Sequence, residues 1–216
     1  NQSSARMQFI YTSADLQAMG VNAGVIDGLG FNVVNKRGSS SFGSYTIKVG
    51  CTKQANFNSG QFLGGLTTVF SPKSVTISNG WNLHAFDTNY AIARGNNLVV
   101  EICYDNSGST STNAAVAYMP TTFQSCITSY GSSNQCGSSF LSLASAYNRP
   151  NIQLSYCGQR DSAEFTYKWT PSLGLKHDTL KNPTANINTT TTFSVLITDT
   201  IGRCSDTASL KINIAN

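Results

Sequence analysis

The chain has 216 residues and a net charge of +4, from 14 Lys and Arg against 10 Asp and Glu, with charged side chains at only 11% of positions. So little charge, with no basic run beyond Lys36-Arg37, argues against a nucleic-acid partner, since phosphate recognition needs a stripe of cations. No apolar stretch approaches the ~20 residues of a transmembrane helix, which argues against membrane insertion.

In chain order, strands are predicted at 7–11, 25–34, 44–51, 67–70, 73–77, 83–86, 97–104, 114–119 and 151–156. Between the first two, a short helix is predicted over 14–19, with Ser13 as N-cap and Gly20 as its stop. Glycine and asparagine turns separate the strands, and this spacing predicts an all-β, jelly-roll-like β-sandwich over 1–156. Surface loops are expected at 38–41, 106–113 and 129–139. A change of composition near Cys157 marks a second domain, 157–216. There Tyr167 and Trp169, then Phe193, Val195 and Ile197, then Leu210, Ile212 and Ile214 recur with a period of two, the sign of half-buried strands. Pro171, Gly174, Asn182-Pro183 and Gly202 punctuate them as turns. The second domain therefore reads as a smaller immunoglobulin-like β-sandwich with Trp169 as its buried anchor.

The six cysteines, Cys51, Cys103, Cys126, Cys136, Cys157 and Cys204, include no CxxC pair and no nearby histidine, so disulfides are favoured over a zinc site. Fifteen pairings are possible. A two-domain chain divides the cysteines four and two, which favours Cys157–Cys204, a local staple Cys126–Cys136, and Cys51–Cys103 between two strands, with buried free thiols as the competing reading for some of them. Paired cysteines imply an oxidising, extracellular location.

Side chains that could do chemistry are few. His84 falls on a predicted strand and His177 in a loop, neither has a partner set, and no GxSxG elbow occurs. No catalytic residue, cofactor or metal site is expected. Asp87 and Asp105 come nearest to a calcium pair, while Glu101 shares with Asp105 the polar face of a strand whose other face is Leu98, Val100, Ile102 and Tyr104. Sugars stack on exposed aromatic rings, which makes Trp81, Tyr90 and Tyr130 the glycan-binding candidates. A structural place in the core is the competing reading for Trp81.

Two segments resemble known modules. Tyr167-Lys168-Trp169, Pro171, Gly174-Leu175, Asn182-Pro183, Phe193-Ser194-Val195, Thr198-Asp199 and Gly202 with Cys204 resemble the immunoglobulin-like and polycystic-kidney-disease (PKD) type repeats of secreted surface proteins from gliding bacteria of the Bacteroidota. Arg6, Gln8, Ile10-Tyr11-Thr12, Gly28 through Val33, Gly80-Trp81-Asn82 and Asn97 through Cys103 resemble a β-rich module that precedes such repeats in cell-surface proteins exported by type IX secretion. The resemblance implies a non-enzymatic piece of an adhesin or gliding-motility filament, acting as scaffold and surface or glycan contact among the neighbouring modules of a longer protein. The alternative it implies is a carbohydrate-binding accessory module of a secreted polysaccharide-degrading enzyme. Ser162, Thr179, Thr200 and Thr207, each following Asp and preceding an apolar residue, resemble the O-glycosylation sequon of that phylum's secreted proteins, with ordinary turn-to-strand chemistry as the competing reading.

Overall fold

Among the residues it describes, the computed structural model is all-β apart from one short helix. It describes residues 3–38, 41–106, 108, 114–132, 135–137, 143–157, 165–199 and 205–214, with only the backbone of Cys157 and Asp199. The chain divides into two compact units, Asn1–Gln159 and Arg160–Asn216.

In chain order the first unit holds β1 (Ser4–Tyr11), α1 (Ser13–Ala18), β2 (Gly24–Asn35), β3 (Ser41–Thr52), β4 (Thr67–Thr76), β5 (Gly80–Ile92) and β6 (Asn97–Asp105). There follow β7 (Ala115–Val116), β8 (Tyr118–Pro120), β9 (Cys126–Gly131), β10 (Leu143–Ala146), β11 (Asn148–Pro150) and β12 (Ile152–Cys157). One antiparallel sheet runs β10-β9-β1-β6-β3-β4, a second runs β12-β2-β5 with β7 on β2, and β8 pairs with β11. Alternation explains how they pack. Leu98, Val100 and Ile102 share one face of β6, and the register of β1 sets Phe9 opposite Val100 and Met7 opposite Ile102. These side chains meet Leu29 and Phe31 of β2 in one core between the sheets. Each such buried side chain contributes roughly 1.5–3 kcal/mol of transfer free energy.

The opposite face of the larger sheet is also covered. Residues 53–66 fold back over it and bury Phe57 with Ile10, Val99 and Ile127 in a second apolar cluster. The Gln8 amide fastens this cover, donating from Nε2 to the Leu63 carbonyl at 2.9 Å and accepting from the Leu63 N–H at 2.8 Å. Glu101, expected on a polar face, consequently lies 1% exposed beneath it.

Several expected boundaries shift. The helix begins a residue early because Thr12, not Ser13, is the N-cap: Asp15 N–H donates to the Thr12 hydroxyl, and Thr12 N–H donates to the Asp15 carboxylate. This reciprocal pair is a capping box with aspartate in the acidic position. The strands expected at 67–70 and 73–77 form one element, β4, whose Pro72 is accommodated because β4 lies at the sheet edge. Strand 114–119 divides into β7 and β8, β9 takes in residues 129–131 of the expected 129–139 loop, and β10 stands where no element is expected.

The disulfide pairing also differs. Cys103 bonds to Cys136, their Cα atoms 5.5 Å apart, and Cys126 is a buried free thiol. Register explains both corrections. Cys126 stands opposite Phe9 and points between the sheets, whereas Cys103 stands opposite Arg6 and points to the other face. Cys51 stands opposite Leu98, about 17 Å along the strand from Cys103 at the usual rise per residue, too far for a bridge. Cys51 is disulfide-bonded through a different sulfur. The expected Cys157–Cys204 bridge lies outside the described residues. Closing a 33-residue separation is worth about 4 kcal/mol of unfolded-chain entropy.

The second unit contains β13 (Phe165–Thr170), β14 (Leu175–Lys176), β15 (Thr184–Ala185), β16 (Thr191–Asp199) and β17 (Ser205–Ile212). They form an antiparallel sheet β13-β16-β17 and the pair β14-β15. Phe193 and Val195 are its buried centre. Trp169, opposite Val195, is only half-buried and donates its indole N–H to the Leu180 carbonyl at 3.0 Å, so it caps the unit's core rather than filling it. Thr179 and Thr207 are exposed, while Ser162 and Thr200 lie outside the described residues. Among the described residues no helix is long and apolar enough to cross a membrane.

Candidate functional site

The sandwich of the first unit is not filled throughout. Between its sheets lies a cleft of about 320 Å³ whose walls include Phe31, Phe42, Tyr45, His84, Tyr104 and Tyr130. Strand periodicity places these groups. On β5, Asn82 and His84 face the cleft while Trp81 and Leu83 project from the opposite face. On β6 and β3, Tyr104 and Tyr45 continue the inward rows of Ile102 and Ile47.

The rings are arranged as a connected set. Phe42 meets Tyr104 edge-on with centroids 4.9 Å apart, and the His84 ring lies 5.1 Å from Tyr45 and 5.3 Å from Phe70. Such contacts hold the walls in place, each adding roughly 0.5–1.5 kcal/mol beyond burial. Burial, assisted by the Lys73 charge, lowers the pKa of His84, so its imidazole is neutral at pH 7. Burial likewise raises the pKa of Tyr45 and Tyr104 and keeps both hydroxyls protonated. Lys73 itself stands 3.9 Å from the Phe70 ring centroid and pairs with Asp87 at 2.9 Å.

The sequence candidates do not form one site. Tyr130 is exposed and lines the cleft, and Trp81, 49% exposed, stands on the outer face of the smaller sheet beside exposed Leu83. Tyr90 is 4% exposed in the core, which corrects its assignment as a glycan contact: it follows the stretch of β5 where alternation gives way to full burial. Asp87 accepts from the Ser71 N–H and pairs with Lys73, interactions that lower its pKa, and Asp105 ends β6 in the other sheet. The two aspartates are therefore not a calcium pair, and no cluster of three metal-ligating side chains occurs among the described residues. Tyr45 and His84 carry only the signal of inward parity on β3 and β5, and Phe42, three residues before Tyr45 on the same strand, reaches the cleft across the register shift between them, which alternation does not reveal.

No protein-family model and no curated protein matches the chain. Among solved structures, the tripod (BppUct-A-L) from the baseplate of bacteriophage Tuc2009 aligns with 99% of this chain and 82% of its own length at 10% identity and a TM-score of 0.16, a likeness that bears on neither fold nor function.

Proposed function

We propose that this chain is a non-enzymatic, extracellular module of a bacterial cell-surface protein of adhesin or gliding-motility type, with the first unit as the contact and the second as spacer. The observation that carries the reading is the aromatic cleft between the sheets of the first unit. Unfilled apolar volume costs stability, and a ligand that enters it recovers that cost. The Cys103–Cys136 bridge supports an oxidising exterior. His84 contacts aromatic rings, an arrangement suited to shaping a wall rather than to moving protons. The test is to incubate the full chain with panels of glycans and small apolar compounds, following thermal stability and recovering each compound. Saturable stabilisation with the compound recovered unchanged is the expected result. Reproducible conversion that disappears in His84→Ala would defeat the reading.

A second reading, a carbohydrate-binding accessory module of a polysaccharide-degrading enzyme, is favoured by Trp81 on the outer sheet face, opposite Asn32 on β2. A ring flanked by amides is the usual chemistry of a sugar platform. On that reading Trp81→Ala weakens retention on a glycan array at least tenfold. Retention unchanged by that substitution argues against it.

A further inference from the structure

We infer that the cleft takes a slender apolar small molecule with one neutral or anionic hydrogen-bonding head, of the medium-chain carboxylate or alcohol class, with the head at Tyr45 and His84 and the chain between Phe31, Phe42 and Tyr104. This rests on the reading of the first unit as a binding module and adds the ligand class.

Hydrogen-bond accounting favours this class over a sugar. The Asn82 amide is spent on its own turn, accepting from the Ser78 N–H and donating to the Ser78 and Gly80 carbonyls at 2.8–2.9 Å. Asn106 Oδ1 accepts from the Gly43 N–H at 2.8 Å. These committed amides are the groups a sugar would need, while the hydroxyls of Tyr45, Tyr104 and Tyr130, the His84 imidazole and the Arg37 guanidinium complete the polar side chains of the described lining. Tyr45 is 8% exposed and lines the cleft, and neither its hydroxyl nor the His84 imidazole makes a hydrogen bond among the described residues. Their rings lie 5.1 Å apart, close enough to share one head group but not to serve a polyol. Among the described lining residues no carboxylate stands ready to receive a cationic head. A volume of about 320 Å³ is at the small end of the range for ligand pockets, which suits a short acyl chain.

Titration calorimetry of the full chain with octanoate, octanol, octylammonium and cellohexaose tests the inference. Octanoate and octanol are expected to bind one per chain, octylammonium at least tenfold more weakly, and cellohexaose not to compete. Ile77→Trp, which fills the cleft from the segment between β4 and β5, should weaken octanoate at least tenfold. Tyr45→Phe, which keeps the ring and removes the hydroxyl, should weaken it about fivefold, and Trp81→Ala should leave it unchanged. Circular dichroism and the unfolding midpoint identify a variant that fails to fold, and Tyr45→Phe then decides alone. Octanoate binding that ignores both cleft variants, or octylammonium binding as tightly, overturns the inference. Cellohexaose binding that Ile77→Trp abolishes, with no octyl compound bound, overturns the ligand class and leaves the binding module standing. No binding by any of the four, together with no hit in the wider panels, removes both.

Discussion

Replacing Glu101 with glutamine should lower the stability of the chain by about 3 kcal/mol, read as a reduced urea midpoint with an unchanged slope. The carboxylate is buried beneath residues 53–66, and three side chains converge on it. Arg6 reaches Oε2 at 2.8 Å, Lys48 reaches Oε1 at 2.9 Å, and Gln8 Nε2 donates to Oε2 at 2.8 Å. The Arg6 guanidinium also lies 4.4 Å from the Phe62 ring centroid, so the charge cluster and the cover are one assembly. Glutamine preserves shape and removes the charge, leaving two cations in a site built around an anion. They are partly exposed and can turn outward, which places the expected cost at the lower end of the range for broken buried pairs. The pH dependence follows. Burial acts to raise the Glu101 pKa, but the Lys48 ion pair, the Gln8 hydrogen bond and the Arg6 charge outweigh it and hold the carboxyl below its ordinary value. A depressed folded pKa means that the stabilisation is complete above the unfolded value of about 4.3 and is lost as pH falls through the folded one. Wild type should therefore lose stability on acidification below about pH 4 more steeply than Glu101→Gln. Equal midpoints at pH 7, or parallel acid profiles, would contradict this account.

That burial of Glu101 marks where sequence reasoning stops. Alternation along Leu98, Val100, Ile102 and Tyr104 identifies the strand and the face that enters the main core, because period two is a local property. It cannot say whether the other face meets water. Phe57, Phe62, Leu63 and Leu66 carry the missing information, but they follow no helix or strand period and so give no sign of a cover. The cysteines show the same boundary. Their number and compartment are compositional, whereas pairing depends on register between distant strands, where Cys103 meets Arg6 and Thr46 while Cys126 meets Phe9. The cleft is less legible again. Tyr45 and His84 have correct inward parity, but their approach follows from packing one sheet on the other. Trp81 is exposed because it lies one residue out of phase with the inward row of β5. Tyr90 is buried because the far end of that strand is covered on both faces.

Arg149 supplies the second large effect: Arg149→Met should destabilise the chain by about 3 kcal/mol in the same assay. Its side chain is 3% exposed, an arrangement tolerated only where the guanidinium is paired and hydrogen-bonded. Nη1 donates to the Ile10 carbonyl at 2.6 Å, and Nη2 lies 2.7 Å from Asp15 Oδ1. The cation also stands 4.8 Å from the Tyr11 ring centroid, while the Tyr11 hydroxyl donates to the Pro150 carbonyl at 2.7 Å. One residue thus joins β1, the acidic cap of α1 and β11, and β11 carries Pro150 into the wall of the cleft. Methionine fills similar volume but leaves the Ile10 carbonyl without its charged donor and Asp15 without its counterion, at roughly 1.5–3 kcal/mol for a charged hydrogen bond plus the lost pairing. Arg149→Lys should recover only part of this, because a single ammonium cannot present the planar fork that serves both acceptors. A double-mutant cycle with Asp15→Asn should give a coupling of about 1 kcal/mol, since Asp15 is partly exposed and water can replace some of what it loses. Arg149→Met within ~0.5 kcal/mol of wild type would mean that apolar packing replaces the ionic contacts without loss, and that β11 is held by the Tyr11–Pro150 hydrogen bond and side-chain packing instead.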